Sequence, residues 1–225
     1  MSEQPPVLLD AKGLQIRFGG VVAADDVNLT IREGRNVAII GPNGAGKTTF
    51  LNICTGWIKP TRGSVSFRGR DITRAAPRSI CRMGVARAFQ HPQLFTEHTA
   101  LENLLIAASA RTGRQSPFLD MHRMPEREEM MHLLDIVGCA DVADRVVVEL
   151  SEGQRKLVDI AVALALKPSL LLMDEPTSGV ASSEKFTIME ILVKALAEAQ
   201  VTSVFVEHDM GIVENYADEV AVWAS

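Results

Sequence analysis

The stretch GPNGAGKT, Gly41–Thr48, constrains this chain more than any other. It follows the compact β-branched run RNVAII and leads at once into TTFLNICTG, whose apolar face would be Phe50, Leu51 and Cys54. A pattern G-x-x-x-x-G-K-[ST] between a strand and a helix is a phosphate loop. Gly41, Gly44 and Gly46 permit backbone conformations that turn successive N–H groups inward, and the helix N-terminus adds positive potential, so the loop forms an anion cradle. Lys47 is placed to reach the β- and γ-phosphates of a nucleotide, and the Thr48 hydroxyl to ligate Mg²⁺. Gly56 falls where that helix should stop.

A second run carries related chemistry. LLLMDEPTSGVASSE, Leu170–Glu184, drives four apolar residues into two adjacent acids. A carboxylate at the end of a buried strand needs a positive partner. In phosphate-loop proteins such an acid lies near the metal, so Asp174 is expected to hold Mg²⁺ directly or through water. Glu175 points elsewhere and is expected to polarise the attacking water.

The remainder reads as alternating strands and helices. LLDAKGLQIRF, VNLTI and GSVSFRGRDI alternate as antiparallel strands do. From TALENLLIAASA through EREEMMHLLDIVG the period is helical, with the polar segment RTGRQSPFLDMHRMP between them read as a surface loop. SEGQRKLVDIAVALALKP reads as a helix stopped by Pro168, followed by strand SLLLMD, helix EKFTIMEILVKALAEAQ, strand VTSVFVEHD, a short helix near GIVENYA and strand EVAVWA. The expected class is α/β, a phosphate-loop nucleotide hydrolase with a mostly parallel core sheet, an antiparallel β subdomain on the N-terminal side and an inserted helical subdomain. Residues 1–90 and 151–225 would form the core lobe and about 91–165 the helical lobe, in a single domain. The last strand-like segment reaches the end of the chain, so a further turn is expected beyond Ser225. With 47% hydrophobic residues, 225 positions suffice for one sizeable core. The net charge of −5 gives no global signal for nucleic acid. Cys54, Cys81 and Cys139 have no metal-type spacing and read as buried, reduced thiols. No apolar run approaches the roughly 20 residues that span a bilayer, and the N-terminus lacks a signal-peptide pattern, so any membrane role would pass through a partner.

Taken in order, these features resemble the ATP-binding-cassette (ABC) ATPases over essentially the whole chain. GPNGAGKT stands at the phosphate loop. Gln90 in RAFQHPQLF stands at the glutamine loop, LSEGQ (Leu150–Gln154) at the signature LSGGQ, LLLMDEP at the second acidic motif, and His208 in VFVEHDM at the switch histidine. The resemblance implies ATP and Mg²⁺ as cofactors. It implies nucleotide contacts from Gly41, Asn43, Gly44, Ala45, Gly46, Lys47, Thr48 and Thr49, with Phe18 stacking on adenine. Thr48, Gln90 and Asp174 would surround the metal, and Glu175, His208 and Lys47 would carry catalysis. Ser151 can N-cap the helix that begins at EGQRKL, and Gly153 lets a phosphate approach that helix end, making a second anion site. Two such sites in one chain suggest two cassettes sharing ATP head to tail, with Ser151, Gly153 and Gln154 reaching the partner's nucleotide.

The finer match, in RFGGVVAADDVNLTI, in GVARAFQHPQLFTEHTALENLLIA and in the polar insertion after Arg111, is to the ATPases of branched-chain (hydrophobic) amino acid importers and their urea and short-amide relatives. That branch implies a second cassette, identical or related, a separate membrane permease and, indirectly, an extracytoplasmic solute-binding protein. The chain would then be cytoplasmic and peripheral at the inner face of the membrane. A soluble cassette ATPase of an assembly such as iron–sulfur cluster biogenesis is the alternative. Two positions depart from the general family. Glu152 replaces the first glycine of the signature, and Ala181 stands where the loop after Glu175 typically carries an acid that helps couple the two ATP sites.

Overall fold

The computed structural model describes residues 4–18, 21–113 and 124–223, without the side chains of 17, 18 and 21–24. Two sheets organise it. Strands β1 (Val7–Phe18), β2 (Val21–Arg32), β4 (Arg62–Phe67) and β5 (Arg70–Asp71) form an antiparallel sheet in the order β2-β1-β4-β5. Strands β3 (Asn36–Ile40), β6 (Val85–Ala88), β7 (Leu170–Asp174), β8 (Thr202–Val206) and β9 (Glu219–Val222) form a second sheet in the order β6-β7-β8-β3-β9, and all its pairings are parallel. β7 and β8 are buried at every residue, which is why both read as near-continuous apolar runs rather than alternating ones. The expected α/β class and the antiparallel N-terminal sheet both hold.

Helix α1 (Lys47–Cys54) follows β3 through the phosphate loop, and Gly56, at φ 76°, ends it as the sequence implied. One apolar core lies between the two sheets around Phe50, Leu51 and Phe67. A second gathers α3 (Ala100–Thr112), α4 (Arg127–Ile136), α5 (Glu152–Ala165) and α6 (Ser182–Glu198). The starts of α3 and α5 are closed by capping boxes, Thr99 with Glu102 and Ser151 with Gln154, in which two otherwise orphaned backbone donors of each helix are met. A last helix, α7 (Met210–Tyr216), connects β8 to β9.

Several readings need adjustment. β2 begins at Val21, six residues before the segment VNLTI, and pairs with β1 through a ladder broken by irregularities, which blurs the alternation. Helix α2 (Pro77–Arg82) and edge strand β6 were not read from the sequence. β6 is four residues long and holds a charged Arg87 among its small apolar side chains, so it offers neither alternation nor a continuous apolar run. α3 runs on to Thr112, into the segment read as a surface loop, and most of that segment, 114–123, lies outside the described residues. Cys54 and Cys139 are buried free thiols, and Cys81 is only half-buried.

Candidate functional site

The carboxyl ends of neighbouring parallel strands converge on one cleft, the usual place for a ligand in an open α/β sheet. The cleft, of about 190 Å³, is lined by Asn43 and Gly46 of the loop after β3, by Lys47 and Thr48 at the start of α1, by Glu175 after β7 and by His208 after β8. Its loop is shaped by glycine where the backbone requires it. Gly46 caps α1 at φ 85°, a left-handed conformation, and no side chain caps that helix end. At Gly41 a Cβ atom would stand 2.5 Å from the Trp223 carbonyl oxygen at the end of β9. Lys47 is 6% exposed, and its Nζ donates to the carbonyls of Gly41 (2.8 Å) and Pro42 (2.9 Å), folding back over the loop. Burial holds its pKa below the usual lysine value against the opposing charges of Glu175 and Asp174.

Thr48 and Asp174 meet, with Oγ1 donating to Oδ1 at 3.3 Å. The other carboxylate oxygen of Asp174 is held by Arg87 Nη2 at 3.0 Å, and both side chains are almost fully buried. Arg87 also donates to Asn52, stacks over Phe89 and leaves its Nε without a partner among the described atoms. The question of what positive group meets Asp174 thus has a definite answer: an arginine from the edge strand.

Glu175 is the focus of three strands. Its Oε1 lies 3.0 Å from His208 Nε2, and its Oε2 accepts from Gln90 Nε2 at 2.7 Å. Gln90 follows β6, Glu175 follows β7 and His208 is two residues beyond β8, so adjacent strands deliver all three. Glu175 has φ +49°, a left-handed backbone that a non-glycine residue occupies at a cost of about 1–2 kcal/mol. The strain falls on a carboxylate that lines the cleft beside the phosphate loop. Buried Glu207 fixes the neighbouring turn, accepting from Thr177 Oγ1 (2.7 Å), Thr177 N (3.3 Å) and His208 N (3.1 Å).

The expected site residues thus fall into three groups. The phosphate loop, Asp174, Glu175, His208 and Gln90 come together. Ser151, Gly153 and Gln154 sit apart, at the exposed start of α5, where Ser151 Oγ accepts from Gln154 N at 3.2 Å. A Cβ at Gly153 would meet only ordinary contacts, the nearest being Ile188 Cδ1 at 3.5 Å, so nothing among the described residues demands glycine there. The Phe18 side chain lies outside the described residues. Ala181 is the N-cap residue of α6 and makes no side-chain cap.

Residues that the sequence reading passed over complete the site. Arg87 and Glu207 are two. Lys156 and Asp159, one turn apart on α5, are the others. Asp159 accepts from Phe89 N and Gln93 N, both at 3.2 Å, on either side of Gln90. Burial raises its pKa to about 6, opposed by those two N–H groups, so at neutral pH it is a carboxylate able to accept both bonds. The available signal was the charge pattern of KLVDIAVALA, in which Lys156 and Asp159 interrupt an otherwise apolar helix.

A strand-end cleft beside a phosphate loop, with a carboxylate hydrogen-bonded to a glutamine and a histidine, defines a phosphate-loop nucleotide hydrolase. The chain matches the family model for ABC transporters over residues 24–178. It is 37% identical to the high-affinity branched-chain amino acid transport ATP-binding protein BraF of Pseudomonas aeruginosa, a match covering 96% of this chain and 87% of that one. It is 38% identical to the probable branched-chain amino acid transport ATP-binding protein LivG of Methanocaldococcus jannaschii, covering 91% and 81%. Among solved structures it resembles the ADP conformation of MJ1267, an ATP-binding cassette of an ABC transporter, at 34% identity and a TM-score of 0.83, covering 97% of this chain and 87% of that one. The chain belongs to the ABC transporter family and is its nucleotide-binding, ATP-hydrolysing component. Among the described residues no helix is long and apolar enough to cross a membrane.

Proposed function

We propose that this chain energises an importer for branched-chain amino acids or closely related solutes, acting on a separate membrane permease from the inner face of the membrane. The observation that carries the catalytic part is the convergence of Gln90 and His208 on Glu175, at 2.7 and 3.0 Å, beside the phosphate loop. The cargo class rests on relatives whose names place them in branched-chain amino acid transport. The same relatives do not favour the alternative of a soluble iron–sulfur assembly ATPase.

In this reading Gly41–Thr49 wrap the phosphates, and Lys47 swings from its own loop carbonyls to the β- and γ-phosphates. Thr48, Asp174 and Gln90 are the hard oxygen donors that would hold Mg²⁺, whose charge offsets that of the phosphates. The donors fit. Arg87 occupies only Oδ2 of Asp174, and Gln90 bonds Glu175 through its nitrogen, leaving its amide oxygen available. Glu175 orients and activates water, and His208 positions that carboxylate and stabilises the transferring phosphoryl group. Ser151, Gly153 and Gln154 address the nucleotide of a second cassette, which accounts for a glycine the chain itself does not require. The exposed aromatic residues Trp57 and Phe95, one packed edge-on to Phe89 and the other close after Gln90 in sequence, belong to the face turned to the permease.

The deciding experiment is reconstitution with the permease and solute-binding protein of the same gene cluster. ATP-dependent uptake of leucine, isoleucine or valine, lost in Glu175→Gln, is expected. Uptake confined to urea or short amides would move the cargo to the sister branch. Failure to associate with any permease would sink the importer reading.

A further inference from the structure

Lys156 and Asp159 are charged groups buried in an apolar helix, 3% and 6% exposed, and such burial is costly unless every polar atom is met. Both are met, and by a revealing set of partners. The lysine ammonium has three protons to donate. Its nitrogen finds three acceptors: the Gln90 carbonyl at 3.0 Å, Ser178 Oγ at 3.3 Å and, most distant, the Glu175 carbonyl at 3.4 Å. The two carboxylate oxygens of Asp159 take the amides of Phe89 and Gln93. Five bonds from one helical turn therefore grip the loop that presents Gln90, the backbone of Glu175 and the small-residue loop that follows it. The Glu175 backbone is pinned from the other side as well, its N–H donating to Val206 O at 3.0 Å.

The helix that does this is capped by Ser151, and that exposed capping end is the part read above as facing a second cassette's nucleotide. We propose that Lys156 and Asp159 are positioning residues: they make the start of α5, the Gln90 loop and Glu175 one mechanical unit. In a pair of cassettes, a nucleotide of one site touching Ser151 would thereby be felt at Glu175 of the other. This gives the two sites a route of communication that needs no acid at Ala181. The positioning role concerns a single chain; the communication rests on the paired-cassette reading above.

The test is steady-state hydrolysis by the full chain carrying Lys156→Met or Asp159→Asn, each alone and combined with Gln90→Ala. The asparagine keeps one acceptor but turns an NH₂ toward the other backbone donor. Each single variant should lower kcat about tenfold, as sub-ångström misplacement of a catalytic group does, with KM for ATP within about twofold. Lys156→Arg should recover most of the rate. Each double variant should be no more than about twofold slower than Gln90→Ala alone, because the residues act through one loop. Rates that instead multiply independently, or a loss that tracks only a fall in Tm, would overturn the positioning role. The Hill coefficient for ATP addresses communication: it should fall toward 1 in Lys156→Met, and an unchanged cooperative value would reject the route. If the Glu175→Gln chain stays monomeric with ATP, the paired-cassette reading falls and the communication claim with it, while the kcat comparison still decides the positioning role.

Discussion

The two sides of the nucleotide cleft are built by opposite means. On one side the phosphate loop is local: eight consecutive residues running from the end of β3 into the first turn of α1, shaped by glycines, with Lys47 bonded to carbonyls only five and six residues away. On the other, Gln90 and Asp174 are held by side chains from distant parts of the sequence. Arg87 reaches Asp174 across 87 positions, and Lys156 reaches the Gln90 carbonyl across 66. The local side holds its anion cradle with backbone and can lose a side chain without leaving a buried charge exposed to nothing. The distant side consists of buried charges that answer one another. Removing a side chain should therefore spare stability on the first side and cost stability as well as turnover on the second.

Lys47→Ala tests the first half and should have the largest effect. Hydrolysis should fall on the order of 10³-fold, the upper range for removing one preorganised positive group from a transferring phosphate. Thermal unfolding should move little, because the carbonyls it leaves belong to a loop open to the cleft. A collapse of Tm together with activity would show that the loop is not self-supporting. Arg87→Met tests the second half. Asp174 would be left buried beside an empty place, and breaking a buried pair from one end costs about 3–5 kcal/mol. Denaturant unfolding should show the loss directly, with hydrolysis falling alongside. Full stability with impaired turnover would mean that Asp174 is better solvated than its 4% exposure indicates.

The same contrast explains what could be read from the sequence. Gly41–Thr48 announced itself because loop, lysine and hydroxyl are contiguous and their spacing is set by one turn of backbone. Asp174 and Glu175 were legible because a fully apolar strand ending in acids is rare without a reason. The capping residue Ser151 was legible from spacing alone. Arg87 was not, since a lone arginine in VARA resembles a surface residue until β6 is known to lie against β7, with Ala88 opposite Met173 one residue from Asp174. Lys156 and Asp159 interrupt an apolar run, but their partners, the Gln90 loop and the Glu175 carbonyl, lie 19 to 70 positions away and emerge only from the packing of α5. Glu207, beside His208 in sequence, gives no sign there that it is the more buried of the two. Contacts between neighbours in sequence are written in spacing, whereas contacts across 60 or more positions need the fold.

Glu175→Gln sharpens the comparison at its midpoint, because Glu175 has a distant anchor and an exposed chemical end. The amide is nearly isosteric and can still accept from Gln90, so stability should hold and ATP should still bind. Turnover should drop about 10²-fold, the usual scale for a general base. Equilibrium binding of a fluorescent ATP analogue measured beside phosphate release separates the two. Turnover near normal would remove the carboxylate from its role and leave His208 to explain the site.

The smallest effect is expected at Ala181, where the local logic predicts a gain. The residue holds φ −59° and ψ 141°, the extended backbone of an N-cap, and its carbonyl already accepts from Glu184 N at 2.9 Å, yet it has no side chain to cap α6. An aspartate there could accept from the backbone N–H groups of the first turn and would sit favourably at the positive end of a 17-residue helix. Ala181→Asp should therefore stabilise the chain by about 1 kcal/mol, within the range of N-cap substitutions, partly offset by Glu184 in the same turn. Chemical denaturation resolves a change of that size. If the acid that many cassettes carry here serves mainly to couple the sites, the variant should alter the Hill coefficient without raising stability. If coupling in this chain already runs through Lys156 and Asp159, stability should rise and the Hill coefficient should stay where it was. The second outcome is expected, because Ser178 in the same loop is already fastened to α5 by Lys156 at 3.3 Å.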